Sequence, residues 1–187
     1  MPKPITVVLM PYDPLWAEAA STEIERLRAS FGDNLVAIHH IGSTAIPGIS
    51  AKPILDLMPV VMDIARVDHV RLAIESLGYE WWGEYGMPGR RYCTLSDSVT
   101  NARRAQLHCF QHGAPDVERH LAFRDFLRAH GEVAHQYEEL KIHCRAQHPL
   151  DSHAYTVCKT SWIREIEAAA VAYYRTSSSS AIRPHHS

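Results

Sequence analysis

Apolar residues recur at helical spacing along much of the chain. Trp16, Ala20, Ile24, Leu27 and Phe31 fall at i, i+4, i+8, i+11 and i+15, one stripe of an amphipathic helix. Asp13-Pro14 supplies a cap and a first-turn proline, and Gly32 closes the segment. Val67, Val70, Ile74 and Leu77 predict a second helix, ended by Gly78. Pro115 opens a third, with Ala122, Phe123, Phe126 and Leu127 on one side and Gly131 at its end. Val133, Tyr137, Leu140 and Cys144 mark a fourth. Asp151 caps the last, whose face carries Tyr155, Cys158, Trp162, Ile166 and Tyr173.

Between these stripes lie short runs rich in branched and aromatic residues. They predict strands at 5–10, 35–41, 53–62, 79–82, 90–95 and 104–111. The 53–62 run is apolar on both faces, as a central strand would be. The order implies an α+β fold: an α/β-like mixed sheet flanked by helices, with a helical C-terminal third. Residues 1–174 read as one domain. Residues 175–187 form a serine-rich tail that cannot bury apolar area and is expected to be disordered.

Composition narrows the function classes. Basic residues number 19 and acidic residues 21, a formal charge of −2, which argues against a broad nucleic-acid surface but leaves room for a local cationic pocket. No apolar run approaches the roughly 20 residues of a membrane span. Met1-Pro2-Lys3-Pro4 is followed by no long apolar segment, so no secretory signal is expected. Cys93, Cys109, Cys144 and Cys158 form no CxxC pair. Reduced, structural thiols in a cytoplasm are therefore expected, rather than a disulfide framework or a four-cysteine zinc site. The oligomeric state stays open.

The segment with the most chemistry is His39-His40-Ile41-Gly42-Ser43-Thr44-Ala45-Ile46-Pro47-Gly48. Gly42 permits a close turn at a strand end, and Ser43 and Thr44 offer hydroxyls and free amides to phosphate oxygens. Downstream stands Asp56, a carboxylate in an apolar strand and costly there unless paired or metal-bound. A plain turn beside a structural ion pair is the bland alternative.

At this point the chain resembles the GrpB family. The resemblance rests on His40-Ile41-Gly42-Ser43-Thr44, Pro47-Gly48, Ala51-Lys52-Pro53-Ile54, Asp56 and Gly86-Met87-Pro88-Gly89-Arg90-Arg91. It continues through Leu107-His108, Leu121, Phe123-Arg124-Asp125, Leu127-Arg128, Tyr137, Leu140-Lys141, Ala154-Tyr155 and Lys159, across residues 8 to 172. It implies the nucleotidyltransferase superfamily, a polymerase β-like fold and a phosphate-related pocket. Some relatives are fused to dephospho-CoA kinase.

The superfamily pattern pairs Gly-Ser with an Asp-apolar-acid strand. Ile41-Gly42-Ser43 and Asp56 match it, but the second acid position holds Met58, which cannot bind hard magnesium. The later strand, 104–111, carries Gln106 and His108 on one face and no acid. A two-magnesium mechanism therefore gives way to a single Mg²⁺ or Mn²⁺ held by Asp56 and His108, or to no metal.

Around them, Gly42, Ser43, Thr44, Lys52, Arg90, Arg91 and Lys159 are the candidate phosphate binders, with His40, Arg124, Lys141 and Tyr155 as further candidates. Arg90 and Arg91 alternate, so one can face a pocket while the other is solvated. Lys159 falls within an otherwise packed helix stripe, where it can reach a buried anion.

Two readings follow. One is a nucleotidyltransferase-type enzyme acting on a nucleotide or other phosphate-containing small molecule, with Asp56 and His108 catalytic. The other is a non-catalytic nucleotide- or CoA-related binding module that has lost two-metal chemistry.

Overall fold

The computed structural model describes residues 3–180. Five strands form one mixed sheet in the order β1-β2-β5-β4-β3. They are β1 (Leu35–Ile41), β2 (Leu55–Val61), β3 (Tyr79–Trp81), β4 (Arg91–Ser96) and β5 (Arg103–Gln111). β2 runs parallel to β5, and the other neighbours are antiparallel. The helices are α1 (Leu15–Phe31), α2 (Arg66–His69), α3 (Arg71–Ser76), α4 (Pro115–Ala129), α5 (Gly131–Gln147) and α6 (Ser152–Ser180). The fold is α+β, as the pattern of elements requires.

Strand alternation divides the core. Leu57, Val61, Leu107, Cys109 and Cys93 point to one face and meet Ala20, Leu27 and Phe31 of α1, Val67 of α2 and Ile74 of α3. Met58, Val60, Phe110 and Ile41 point to the other, where Val117 and Leu121 of α4 cover them. A further cluster joins Leu127, Ala134 and Tyr137 of α4 and α5 with Trp162, Ile163 and Ile166 of α6.

Local signals work as the sequence implies. Asp13 Oδ1 accepts the Leu15 N–H at 2.9 Å. Asp151 Oδ1 accepts the N–H groups of His153 at 2.9 Å and Ala154 at 3.1 Å, satisfying donors that have no partner inside α6.

Several expectations are corrected. Residues 5–10 are not a strand; Met10 makes an isolated bridge with Ala51, and Val7 donates its N–H to Pro149 O at 2.8 Å. Val7 is packed with Cys144 and Tyr155, so burial against α5 and α6 replaces sheet pairing. The predicted 67–77 helix splits at Val70 into α2 and α3. Helix α6 continues through residues 175–180, where a disordered tail is expected; the rest of that tail lies outside the described residues. Cys144 and Cys158 form a disulfide between α5 and α6, against the expectation of four reduced thiols. Cys93 and Cys109 are buried and free. Among the described residues no helix is long and apolar enough to cross a membrane.

Candidate functional site

The antiparallel register sets Ile41 opposite Asp56 at the end of β1, directly before Gly42. Gly42 has φ +71° and ψ −172°, a conformation essentially reserved for glycine. A Cβ there would lie 2.3 Å from Asp56 Oδ2, so the carboxylate occupies the space a side chain would take. The glycine thus does two things at once: it turns the chain and it seats Asp56.

On the other side of β2, the parallel register sets Asp56 beside Gln106 of β5. His108, two residues on, brings its Nε2 to 3.3 Å from Asp56 Oδ1. Its buried Nδ1 has no hydrogen-bond partner. Tyr92 of β4 lies opposite His108, and their ring centroids are 5.2 Å apart. His120 on α4 stands at 6.0 Å from the His108 ring. Burial, then the neighbouring His108, holds His120 well below the ordinary histidine range.

A cleft of about 310 Å³ opens beside His108 and Gln106. Lys52, Arg90, Arg103 and Lys3 contribute its cations, with Tyr85 and Tyr92 on one side and Ser152 and Thr156 of α6 on another. Arg90 lies over the Tyr92 ring at 4.9 Å and donates to Tyr85 O at 2.8 Å.

Two further lysines are more deeply buried. Lys159 of α6 is 8% exposed, with its Nζ 4.1 Å from the Tyr155 ring centroid. Lys141 of α5 is 1% exposed; it donates to Ser50 O and lies 4.8 Å from the Tyr137 ring centroid. Lys52 shares the Tyr155 ring with Lys159, at 5.5 Å from its centroid. Burial lowers Lys52 to about 8, with Lys159 adding to the effect and Asp56 opposing it. Burial likewise lowers Lys159 to about 8, again opposed by Asp56. Lys141 falls to about 7 through burial and then Lys159.

These four lysines, Lys3, Lys52, Lys141 and Lys159, are all the lysines of the chain. Among the described residues none of them is in an ion pair; the cations that are belong to arginine and histidine.

The sequence candidates divide accordingly. Asp56, His108, Gly42, Lys52, Arg90 and Lys159 come together. Ser43 is half-buried and donates to Tyr137 OH at 3.4 Å. Thr44 is buried and its hydroxyl is engaged inside the loop, 2.8 Å from His40 Nε2 and 3.5 Å from Ile54 O. His40 therefore braces the turn, and burial lowers it to about 4, so it does so uncharged. Arg124 donates to His40 O at 3.1 Å and Arg128 to Ala45 O at 2.8 Å; both hold the loop from α4. Arg91 leaves the site: it makes a two-pronged ion pair with Asp68 at 2.6 and 2.7 Å. Alternation does send one arginine to the pocket, and that one is Arg90.

Arg103, Tyr85, Tyr92, Ser152 and Thr156 carry no sequence signal that marks them as site residues. Arg103 belongs by alternation to the face of Ala105, but the β4–β5 register shifts between Leu95 and Ser96 right beside it. Such an irregularity re-aims a side chain.

The donors fit a divalent cation poorly. Among the described residues no three His, Cys, Asp or Glu side chains converge. Met58 is fully buried in an apolar cluster beneath α4, where the second acid would stand. Asp56 is bonded to His108 and faces the fields of Lys52 and Lys159. Hard cations need several oxygens, so the arrangement suits an anion better.

A protein-family model described as "GrpB protein" matches residues 6–169. The chain is 42% identical over 164 residues to the UPF0157 protein YqkA of Bacillus subtilis (strain 168), covering 88% of this chain and 47% of that protein. It therefore spans about half the length of that relative. It is 25% identical over 181 residues to a protein named dephospho-CoA kinase in Mycolicibacterium paratuberculosis, covering 85% of this chain and 44% of the other. The crystal structure of conserved protein GrpB from Enterococcus faecalis superposes with a TM-score of 0.83 at 34% identity, over 89% of this chain and 99% of that one.

Proposed function

The chain belongs to the GrpB protein family, and from that premise we propose that it binds a phosphate-bearing small molecule in the cleft lined by Lys52, Arg90, Arg103 and His108. One observation carries this reading: Lys3 and Lys52 line the cleft, Lys159 shares the Tyr155 ring with Lys52, and no lysine is neutralised by an ion pair among the described residues. Buried cations without carboxylate partners are costly. A phosphate would supply the missing charge and return Lys52 and Lys159 toward their ordinary protonation. Asp56 is the opposing acid that lowers the cost before a ligand arrives.

Nucleotides and CoA-related molecules fit that chemistry. The similarity to part of a dephospho-CoA kinase makes CoA precursors worth testing. The Asp56–His108 pair at the cleft wall favours a second reading, in which the pair moves a proton during group transfer. That reading needs no two-metal clamp, and Met58 leaves no carboxylate to build one.

The test is a thermal-shift panel of nucleotides, CoA precursors and pyrophosphate, each with Mg²⁺ and with EDTA. At least one phosphate ligand should raise Tm, and EDTA should not abolish the rise. Indifference to every phosphate ligand would remove the basis of the proposal. Turnover of a radiolabelled nucleotide would favour the enzymatic reading over the binding one.

A further inference from the structure

The chain's choice of cation is selective. Its 19 basic residues comprise 15 arginines and four lysines; Lys3 and Lys52 line the cleft, Lys159 shares the Tyr155 ring with Lys52, and Lys141 lies within the field of Lys159. For binding phosphate, arginine serves at least as well, because its guanidinium is always charged and presents a planar fork. Lysine offers one thing arginine lacks: an amine that can lose its proton and act as a nucleophile.

Three positions are distinguishable. Lys141 is sealed and donates to Ser50 O, and Lys159 is held over the Tyr155 ring. Lys52 is half-buried and, unlike those two, lines the open cleft. It is flanked by Lys159, Arg103 and Asp56, and Tyr155 lies beneath it. On the same cleft are the arginines Arg90 and Arg103 and the histidine of the His108–Asp56 pair.

We propose that Lys52 is a carbonyl-reactive amine, and that the ligand of this cleft is a phosphorylated aldehyde or ketone held as an imine. The inference rests on the phosphate-binding reading and adds a carbonyl to the ligand. The Lys52 Nζ lone pair adds to the carbonyl carbon, and the carbonyl π electrons move to oxygen, which takes up a proton. The nitrogen loses a proton, the resulting hydroxyl accepts one from the His108–Asp56 pair and leaves as water, and the C=N bond closes as the protonated imine, whose N–H proton returns to the pair. Amine plus carbonyl gives imine plus water, with no oxidant or reductant needed. Arg90 and Arg103 hold the phosphate, while Lys159 beside Lys52 disfavours a second positive charge. With Lys52 near 8, about a tenth of it is neutral at pH 7 and able to attack.

The experiment uses the full chain, pyridoxal 5′-phosphate as a phosphorylated aldehyde, borohydride to trap the imine, and peptide mass mapping. Four lysines make the map unambiguous. The expected result is one adduct per chain, on Lys52. Pyrophosphate at ten times its Kd should slow its formation about tenfold. Lys52→Arg should lose the adduct, because a guanidinium forms no imine. If pyrophosphate raises Tm but the label spreads to Lys3, or forms equally fast with pyrophosphate present, the carbonyl inference is overturned and the phosphate reading stands. If pyrophosphate neither raises Tm nor protects, both fall. The wild-type map decides the matter even where the variant folds poorly.

Discussion

Replacing Gly42 by alanine perturbs the turn and the seat of Asp56 together. Two costs are separable. The backbone at φ +71° and ψ −172° is essentially closed to residues with a Cβ, a penalty of about 1–3 kcal/mol. The new methyl would also meet Asp56 Oδ2 at 2.3 Å, Cβ at 2.9 Å and Cγ at 3.0 Å. Forced overlap of this kind costs about 1–3 kcal/mol after side chains shift. Near the middle of the combined range, about 4 kcal/mol, Tm falls by about 8–16 °C for a domain of this size. Gly48 provides the control: its φ is +81°, but a methyl added there would have nothing within 4 Å, so Gly48→Ala carries only backbone strain. Asp56→Ala removes the nearest carboxylate atoms and should recover part of the Gly42→Ala loss. Calorimetric melts of the two glycine variants and of the Gly42→Ala/Asp56→Ala pair measure each part. If Gly42→Ala costs no more than Gly48→Ala, and Asp56→Ala recovers nothing, the seating of Asp56 against Gly42 is refuted.

Other consequences are open to measurement. Lys52, Lys141 and Lys159 are lowered in the folded chain but ordinary in the unfolded one, so the unfolded state binds more protons and stability rises with pH above about 7. Below the thiol range, from pH 7 to about 8.5, Tm should climb, and Lys141→Met should flatten the slope; a falling Tm in wild type contradicts the burial of these amines. Reducing Cys144–Cys158 opens a cross-link of sequence separation 14, worth about 3 kcal/mol in the chain-entropy account, and Tm should drop under reductant while the thiol count rises; an unchanged Tm sinks that contribution. Lys52→Ala should weaken pyrophosphate binding by about 10–100-fold, the size of a charged hydrogen bond, whereas Asp56→Asn should tighten it by removing the opposing charge. Equal affinities by titration calorimetry would place the anion elsewhere.

Much of the scaffold is legible in the sequence because its signals are local. The stripe of α1, the Asp151 cap and the Pro115 start each depend on a few neighbouring residues. Asp56 and Met58 on one strand face, and Gln106 with His108 opposite Ala105, Leu107 and Cys109, follow from alternation alone. The 5–10 segment misleads because its apolar residues are buried by α5 and α6, a tertiary choice invisible to periodicity. The disulfide does leave a signal: Cys144 and Cys158 lie on the apolar stripes of consecutive helices joined by a short turn. In the site, the Asp56 neighbourhood can be read, but the roles of the arginines cannot. Arg91 turns to Asp68 and Arg103 is re-aimed beside a register shift, and both outcomes depend on partners distant in sequence. Thr44 shows the same limit, since its hydroxyl answers to His40 and Ile54 inside the loop.

The most direct test of the central claim is a calorimetric titration of the chain with pyrophosphate near pH 8, in EDTA, repeated in two buffers of different ionisation heat. Saturable one-to-one binding is the expected result, with proton uptake by lysines that are partly neutral in the free chain once the proton that pyrophosphate itself gives up on binding is subtracted. Absence of saturable heat, or release of more protons than the ligand itself can supply, would contradict the account.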